Sequence, residues 1–175
     1  INSDYTEAYN NMGSALKEQG NLDQAIEAFR KALKTNPEYF DAYYNLGNAF
    51  KEQESLENAI LAYDKAISFK PDYFKAYYNK GTILKEQGML KLAIDAFKIA
   101  IDIEPEYAEA YNNLANTIKE TGNLNKAIKT YEEALKINPN YAEAYNNKGT
   151  ALYEQGKLDK AINAYEKALS LKPEY

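Results

Sequence analysis

Proline returns at Pro37, Pro71, Pro105, Pro139 and Pro173, 34 residues apart each time, and the residues between these marks repeat with them. The stretch from Ala108 to Tyr141 is one full copy of the unit. A unit of this length holds two short amphipathic helices, which cannot bury their apolar faces alone and must stack on their neighbours. The chain is therefore expected to be an all-α solenoid of helix-turn-helix repeats, without a separate globular core.

Within the first unit, apolar residues recur at Ala8, Tyr9, Met12, Gly13 and Leu16, one face of a 3.6-period helix. This spacing predicts a first helix over about 6–19. Gly20 supplies the left-handed residue that closes a helix, and Asn21 with Gln24 reads as a capping-box-like start for the next. The second helix is expected over about 22–34, with Leu22, Ala25, Ile26, Phe29, Ala32 and Leu33 on one face. Pro37 forbids its continuation and holds Asn36 extended.

The same syntax restarts at Phe40, Phe74, Ala108 and Ala142, giving repeats 6–39, 40–73, 74–107, 108–141 and 142–175 in one array over 1–175. Residues 1–5 read as the remnant of a preceding unit: Asp4 and Tyr5 fall where Glu38 and Tyr39 fall, with Ser3 in place of the proline. Three departures stand out. Glu54 replaces the turn glycine of the other units, which predicts a strained left-handed residue costing about 1 kcal/mol. Ala115 replaces the intrahelical glycine, adding a methyl where two helices approach. Lys80 and Lys148 replace an aliphatic residue and are expected to lay their stems along apolar surface with the ammonium in solvent.

Composition narrows the chemistry. The chain of 175 residues has neither Cys nor His, which removes disulfides, thiolate nucleophiles, sulfur-ligated zinc and the commonest general base. A net charge of −5 argues against nucleic acid as a partner. No apolar run has the ~18 residues of a membrane span, and no signal-peptide pattern opens the chain, so a cytoplasmic protein is the default. The carboxylates fall on solvated helix faces or in turns, without a phosphate-cradling glycine loop or a nucleophile elbow. No catalytic residue, cofactor or metal is expected.

The spacing Tyr9, Met12, Gly13, Leu16, Ala25, Phe29, Ala32, Pro37, kept in each later unit, resembles the tetratricopeptide repeat over essentially the whole chain. The resemblance implies a right-handed superhelix in which the first helix of each hairpin lines the concave wall. It also allows a test of the family's carboxylate clamp for chaperone tails. Of the five clamp positions counted from the first repeat, only Asn45 and Lys75 comply, and later frames fare no better. Without converging cations a carboxylate is poorly held, so that role is rejected.

The strongest signal on the predicted inner face is a column of asparagines, Asn11, Asn45, Asn79, Asn113 and Asn147, one per repeat. Asparagine is a mediocre helix former. Its amide offers a donor and an acceptor that match a peptide backbone without regard to side chains. The column resembles the asparagine ladder in the tetratricopeptide superhelix of O-linked N-acetylglucosamine transferase, which grips substrate backbones. Equally open is that each asparagine bonds to a backbone group in the neighbouring repeat, or was copied during duplication.

Beside the column stand Asn10, Tyr44, Tyr78, Asn112 and Asn146, and one turn along lie Ser14, Asn48, Thr82, Asn116 and Thr150. Glu7, Asp41, Lys75, Glu109 and Glu143 form a mostly acidic lip, and Lys17, Lys51, Lys85 and Lys119, each followed by a glutamate, read as a solvated mixed-charge face. The pairs Phe40 with Tyr44 and Phe74 with Tyr78 share a helix flank and either grip an apolar side chain or seal the joints between repeats.

The leading expectation is a non-catalytic scaffold that binds an extended or helical peptide in its groove. One alternative is the substrate-selecting arm of a larger enzyme such as a glycosyltransferase. The other is a structural array stacking end to end, the uncovered Ile162, Tyr165 and Leu169 of one molecule meeting the Ile1 to Met12 end of another.

Overall fold

The computed structural model describes residues 3–173, and among them all regular structure is helical. Ten helices follow one another: α1 (Ser3–Glu18), α2 (Leu22–Thr35), α3 (Phe40–Glu52), α4 (Leu56–Phe69), α5 (Phe74–Glu86), α6 (Leu90–Ile103), α7 (Ala108–Glu120), α8 (Leu124–Ile137), α9 (Ala142–Glu154) and α10 (Leu158–Leu171). They pair as antiparallel hairpins, α1 with α2, α3 with α4, α7 with α8 and α9 with α10, and α3 and α9 also pack on the hairpins before them. The chain groups into two compact units, Ile1–Ile83 and Leu84–Tyr175, and the division falls inside α5.

Helix ends follow the expected ones to within a residue, with one exception. The first helix begins at Ser3 rather than near Thr6, because Ser3 stands where the later units carry proline and nothing there prevents a helical turn. Residues 3–5 therefore form the first turn of α1; Ile1 and Asn2 lie outside the described residues.

Four of the intra-repeat turns close with a pair of backbone bonds, those at Gly20, Glu54, Gly88 and Gly156. Asn21 N–H donates to the Leu16 carbonyl and Gly20 N–H to that of Lys17, both at 2.9 Å. With spans of five and three residues, donated by the residue after the left-handed one and by the left-handed one itself, this is the Schellman arrangement, and Gly20 adopts φ 79° to make it. Glu54 occupies the same place at φ 60°, the only non-glycine with positive φ among the described residues, which bears out the expected strain. Replacing it, Glu54→Gly, relieves a left-handed side chain at some cost in unfolded-chain entropy. The net expectation is about 0.5–1 kcal/mol of added stability, read as a higher urea midpoint.

The capping box at Asn21 does not form. Its side chain makes no cap bond and instead donates to Gln19 Oε1 at 3.3 Å. The Schellman bonds already fix the backbone there. Only Asn123 among the described helix starts accepts from a first-turn amide, that of Lys126, at 3.1 Å. Asn36 is extended ahead of Pro37, as that proline requires.

The core is built on close approach. Ala25, Ala32, Ala42, Ala49, Ala59 and Ala66 are fully buried in the first unit, as are Ala93, Ala100, Ala110, Ala127, Ala134 and Ala144 in the second. One aromatic per hairpin fills the space these small residues leave, among them Phe29, Tyr63, Phe97 and Tyr131, none with any exposure. At Gly13, Gly47 and Gly149 an added Cβ would lie 2.6–2.7 Å from the ring of Phe29, Tyr63 or Tyr165. The fourth hairpin places the fully buried Ala115 at this position.

Candidate functional site

The asparagine column sits on the first helix of each hairpin, and the structure shows what its amides do. Asn45 Nδ2 donates to Asn10 Oδ1 at 3.0 Å and Asn147 Nδ2 to Asn112 Oδ1 at 3.1 Å. Asn79 Nδ2 donates to Asn48 Oδ1 at 2.9 Å and to the Tyr44 hydroxyl at 3.2 Å. These bonds tie the second, third and fifth repeats to side chains of the repeat before each. The bonds within the protein thus run to side chains of the neighbouring repeat and not to its main chain. The column also stays half exposed at Asn45, Asn79, Asn113 and Asn147, and Asn11 is exposed.

The flanking position divides in two. Asn10 and Asn112 are buried, and Asn112 also donates to Glu143 Oε1 at 3.0 Å, so neither can touch a ligand; both are internal struts, a correction to their reading as contacts. Asn146, Tyr44 and Tyr78 keep partial exposure. One turn along, Asn48 accepts from the Tyr63 hydroxyl at 2.8 Å as well as from Asn79, and Asn116 accepts from the Tyr131 hydroxyl. The carbonyls of Asn48 and Asn116 are therefore committed inward. Thr82 and Thr150 donate to the carbonyls of Tyr78 and Asn146 in their own helices, at 3.1 and 3.2 Å.

Tyrosine fills three hairpins and donates to that position, Tyr63 to Asn48, Tyr131 to Asn116 and Tyr165 to Thr150, while Phe29 and Phe97 occupy the place in the first and third repeats. Burial raises the Tyr63 and Tyr131 phenols above their ordinary range, reinforced by Tyr44 at Tyr63 and by Glu154 at Tyr131.

Phe40 meets Tyr73 edge to face at 5.2 Å between centroids, and Tyr44 meets Tyr73 at 5.0 Å. Lys70 Nζ lies 4.5 Å from the centroid of the Phe40 ring. These aromatics pack the start of α3 against the end of the same repeat, and Tyr44 and Tyr73 also pack against the cluster that holds Ala76 of the next one.

The charged positions also act across joints. Lys17 pairs with Glu52 at 2.7 Å, Lys85 with Glu120 at 3.5 Å and Lys119 with Glu154 at 3.3 Å. Partly exposed pairs of this kind contribute about 0–1 kcal/mol each, so they set register more than stability. Lys80 and Lys148 do not end in bulk solvent: they pair with Asp64 and Glu132, each 16 residues earlier on the preceding repeat's second helix. Where that acid is replaced by Arg30 or Lys98, the facing position is Leu46 or Leu114.

On α10, Ile162 and Leu169 are exposed, as expected, whereas Tyr165 is half-buried with its hydroxyl on Thr150. Among the described residues no cluster of acidic side chains could hold a metal ion, and no helix is long and apolar enough to cross a membrane.

This stacked-hairpin geometry has known counterparts. Models of the TPR repeat match residues 13–54 and 47–88, and models of the tetratricopeptide repeat match 74–107 and 106–174, so the chain belongs to the tetratricopeptide repeat family. Two crystal structures of MamA superpose with TM-scores of 0.86 and 0.85 at 29% and 30% identity. The first covers 97% of this chain and 93% of MamA, the second 92% and 94%. YrrB, described as a TPR protein with an unusual peptide-binding site, superposes with a TM-score of 0.79 at 24% identity, covering 95% of this chain and 86% of its own. A search of curated proteins gives no match.

Proposed function

We propose that this protein is a non-catalytic interaction scaffold whose first-helix face holds a peptide in extended or helical form. The carrying observation is the half-exposed asparagine column. Asn45 and Asn147 each spend one N–H on the neighbouring repeat, which fixes the carboxamide's direction while leaving the second N–H and the carbonyl for a guest backbone, whereas Asn79 spends both and offers its carbonyl. The proposed contacts are Asn11, Asn45 and Asn79 in the first unit and Asn113, Asn147 and Asn146 in the second, with Tyr78 beside them. YrrB supports the reading to the extent that this fold can carry a peptide-binding site.

Peptides selected from a random display library against the whole chain supply a probe. Asn11→Ala is the informative variant, because Asn11 is exposed and makes none of the joint bonds described above. Losing a backbone contact of about 0.5–1.5 kcal/mol should weaken binding roughly two- to tenfold with no change in stability. Asn45→Ala and Asn79→Ala should weaken binding more than Asn11→Ala does and also cost about 1 kcal/mol of stability each, since they cut a latch. Selected peptides whose affinity is the same for all three variants would remove the column from the function.

Exposed Ile162 and Leu169 also favour end-to-end self-association. On stacking, however, Glu166 would face Met12, whereas its equivalents Asp64 and Glu132 each face a lysine. The peptide reading is therefore preferred.

A further inference from the structure

On the other side of α9 from the asparagine column, Tyr145, Lys148 and Leu152 form a stripe at helical spacing, while Glu143, Asn146, Asn147 and Thr150 form the opposite one. That stripe is the floor of a cleft of about 470 Å³ between α8 and α10, a volume within the range of ligand sites. Its base is apolar, with Ile128, Leu152 and Ala164 buried. Its walls carry Lys129, Lys157 and Lys160 beside the Lys148–Glu132 pair, which closes at 2.9 Å.

Four lysines against one glutamate give the cleft a local charge of +3 in a chain whose net charge is −5. Lys129, Lys157 and Lys160 are exposed and form no ion pair among the described residues.

The repeat architecture provides its own comparison. Three repeats earlier the same positions are Asp23, Glu27, Arg30, Leu46, Ser55 and Asn58, so the equivalent surface has no excess of cations. Lysines do continue along the second unit as Lys91, Lys98 and Lys126, so the cleft is the concave part of a basic strip. Packing imposes no lysine at these exposed positions, because the first unit folds the same helices without them.

We propose that this cleft is a second binding site, on the face of α9 opposite the column, which takes a short acidic peptide segment with one apolar side chain. The apolar base accepts the side chain. The three uncommitted ammonium groups, flexible point charges rather than planar forks, meet carboxylates on either side of it. An extended polyanion fits less well, since beyond the strip it meets a surface of net negative charge.

The probe is a blocked pentapeptide, Glu-Asp-Leu-Glu-Asp, titrated against the whole chain beside its neutral Gln-Asn-Leu-Gln-Asn counterpart, with methyl shifts followed by NMR. The acidic peptide should bind with a Kd of about 1 mM or tighter, move the Ile128 and Leu152 methyls, and weaken at least tenfold when salt rises from about 0.05 to about 0.5 M. The double variant Lys129→Glu with Lys160→Glu should weaken it more than tenfold. The charge-matched Lys31→Glu with Lys34→Glu in the first unit should change it less than twofold, and circular dichroism confirms that both variants fold. Asn11→Ala should leave this binding unchanged, so failure of the peptide-face reading and failure of this one are separate results. Equal binding of the neutral peptide, unaltered affinity in the cleft variant, no binding at about 1 mM, or tighter binding of a short DNA duplex at the same methyls would each overturn the proposal.

Discussion

Replacing Tyr63 with alanine is expected to remove about 3–5 kcal/mol of stability, a large share of the 5–15 kcal/mol that a domain possesses. Tyr63 has no exposure, its ring packs against the α-carbon of Gly47 too closely to admit a methyl, and its ring lies 5.9 Å from that of Tyr44. Helices held apart by an aromatic and otherwise lined with alanine have nothing else with which to fill the void, so the cavity persists rather than collapsing. The hydroxyl is the smaller part: Tyr63→Phe should cost about 0.5–1.5 kcal/mol, because Asn48 Oδ1 still accepts from Asn79. Urea unfolding separates the two variants. Hydrogen exchange should place the alanine variant's lost protection in α3 and α4, and a loss below about 1 kcal/mol would show that the hairpin repacks.

Much of this fold was legible in the sequence because its rules are local. Proline forbids a helical turn, a left-handed residue favours glycine, and a 3.6-residue stripe finds the buried face, so helix ends were placed to within a residue wherever those signals existed. The exception at Ser3 has the same logic: a missing proline removes a stop. What the sequence did not disclose is which side chains meet across a joint. The period aligns equivalent residues, but Lys148 meets Glu132 and Asn147 meets Asn112, separations of 16 and 35 residues that are not multiples of the repeat. The alternation of Asp64 and Glu132 with Arg30 and Lys98, matched by Lys80 and Lys148 with Leu46 and Leu114, was the available signal for the ion pairs. The capping box at Asn21 failed for a related reason, since a short motif is silent about a turn that already satisfies its backbone.

The asparagine column shows how one residue serves two ends. At Asn45 and Asn147 the first amide hydrogen goes to the preceding repeat, a structural role sufficient to retain the residue, and that bond orients what remains of the group. An exposed asparagine free to rotate would lose side-chain entropy on binding a guest; a latched one has already lost it. Asn11, which lacks the latch, should thus be the weakest contributor to affinity and the cleanest reporter of it.

Alkaline pH should destabilise the protein steeply through the same buried phenols. Tyr63 and Tyr131 have no exposure, and each donates its hydroxyl to a carboxamide oxygen, so a phenolate there would set two acceptors against each other in a dry interior. Burial first, and neighbouring groups second, hold both above the ordinary value near 10. The folded state therefore keeps these protons more tightly than the unfolded chain does. The stabilisation is complete below about pH 10 and declines as pH rises from there toward the folded-state values. Within that window each phenol contributes a slope of about 1.4 kcal/mol per pH unit, so the pair should cost about 2.7 kcal/mol per unit. Tyr73 is shifted in the same direction, chiefly by burial and then by Asp41, but it is half exposed and adds less. Lysines begin to lose their charge over the same range, yet their pairs with Glu52, Glu120 and Glu154 are partly solvated and supply a smaller loss. Tyr63→Phe with Tyr131→Phe distinguishes the two causes. Phe29 and Phe97 already occupy the equivalent sites, so the rings fit. The double variant should start lower at pH 8 and then lose stability much less steeply, so that urea midpoints measured against pH for the two proteins converge above pH 10; parallel curves would assign the alkaline loss to the lysines instead.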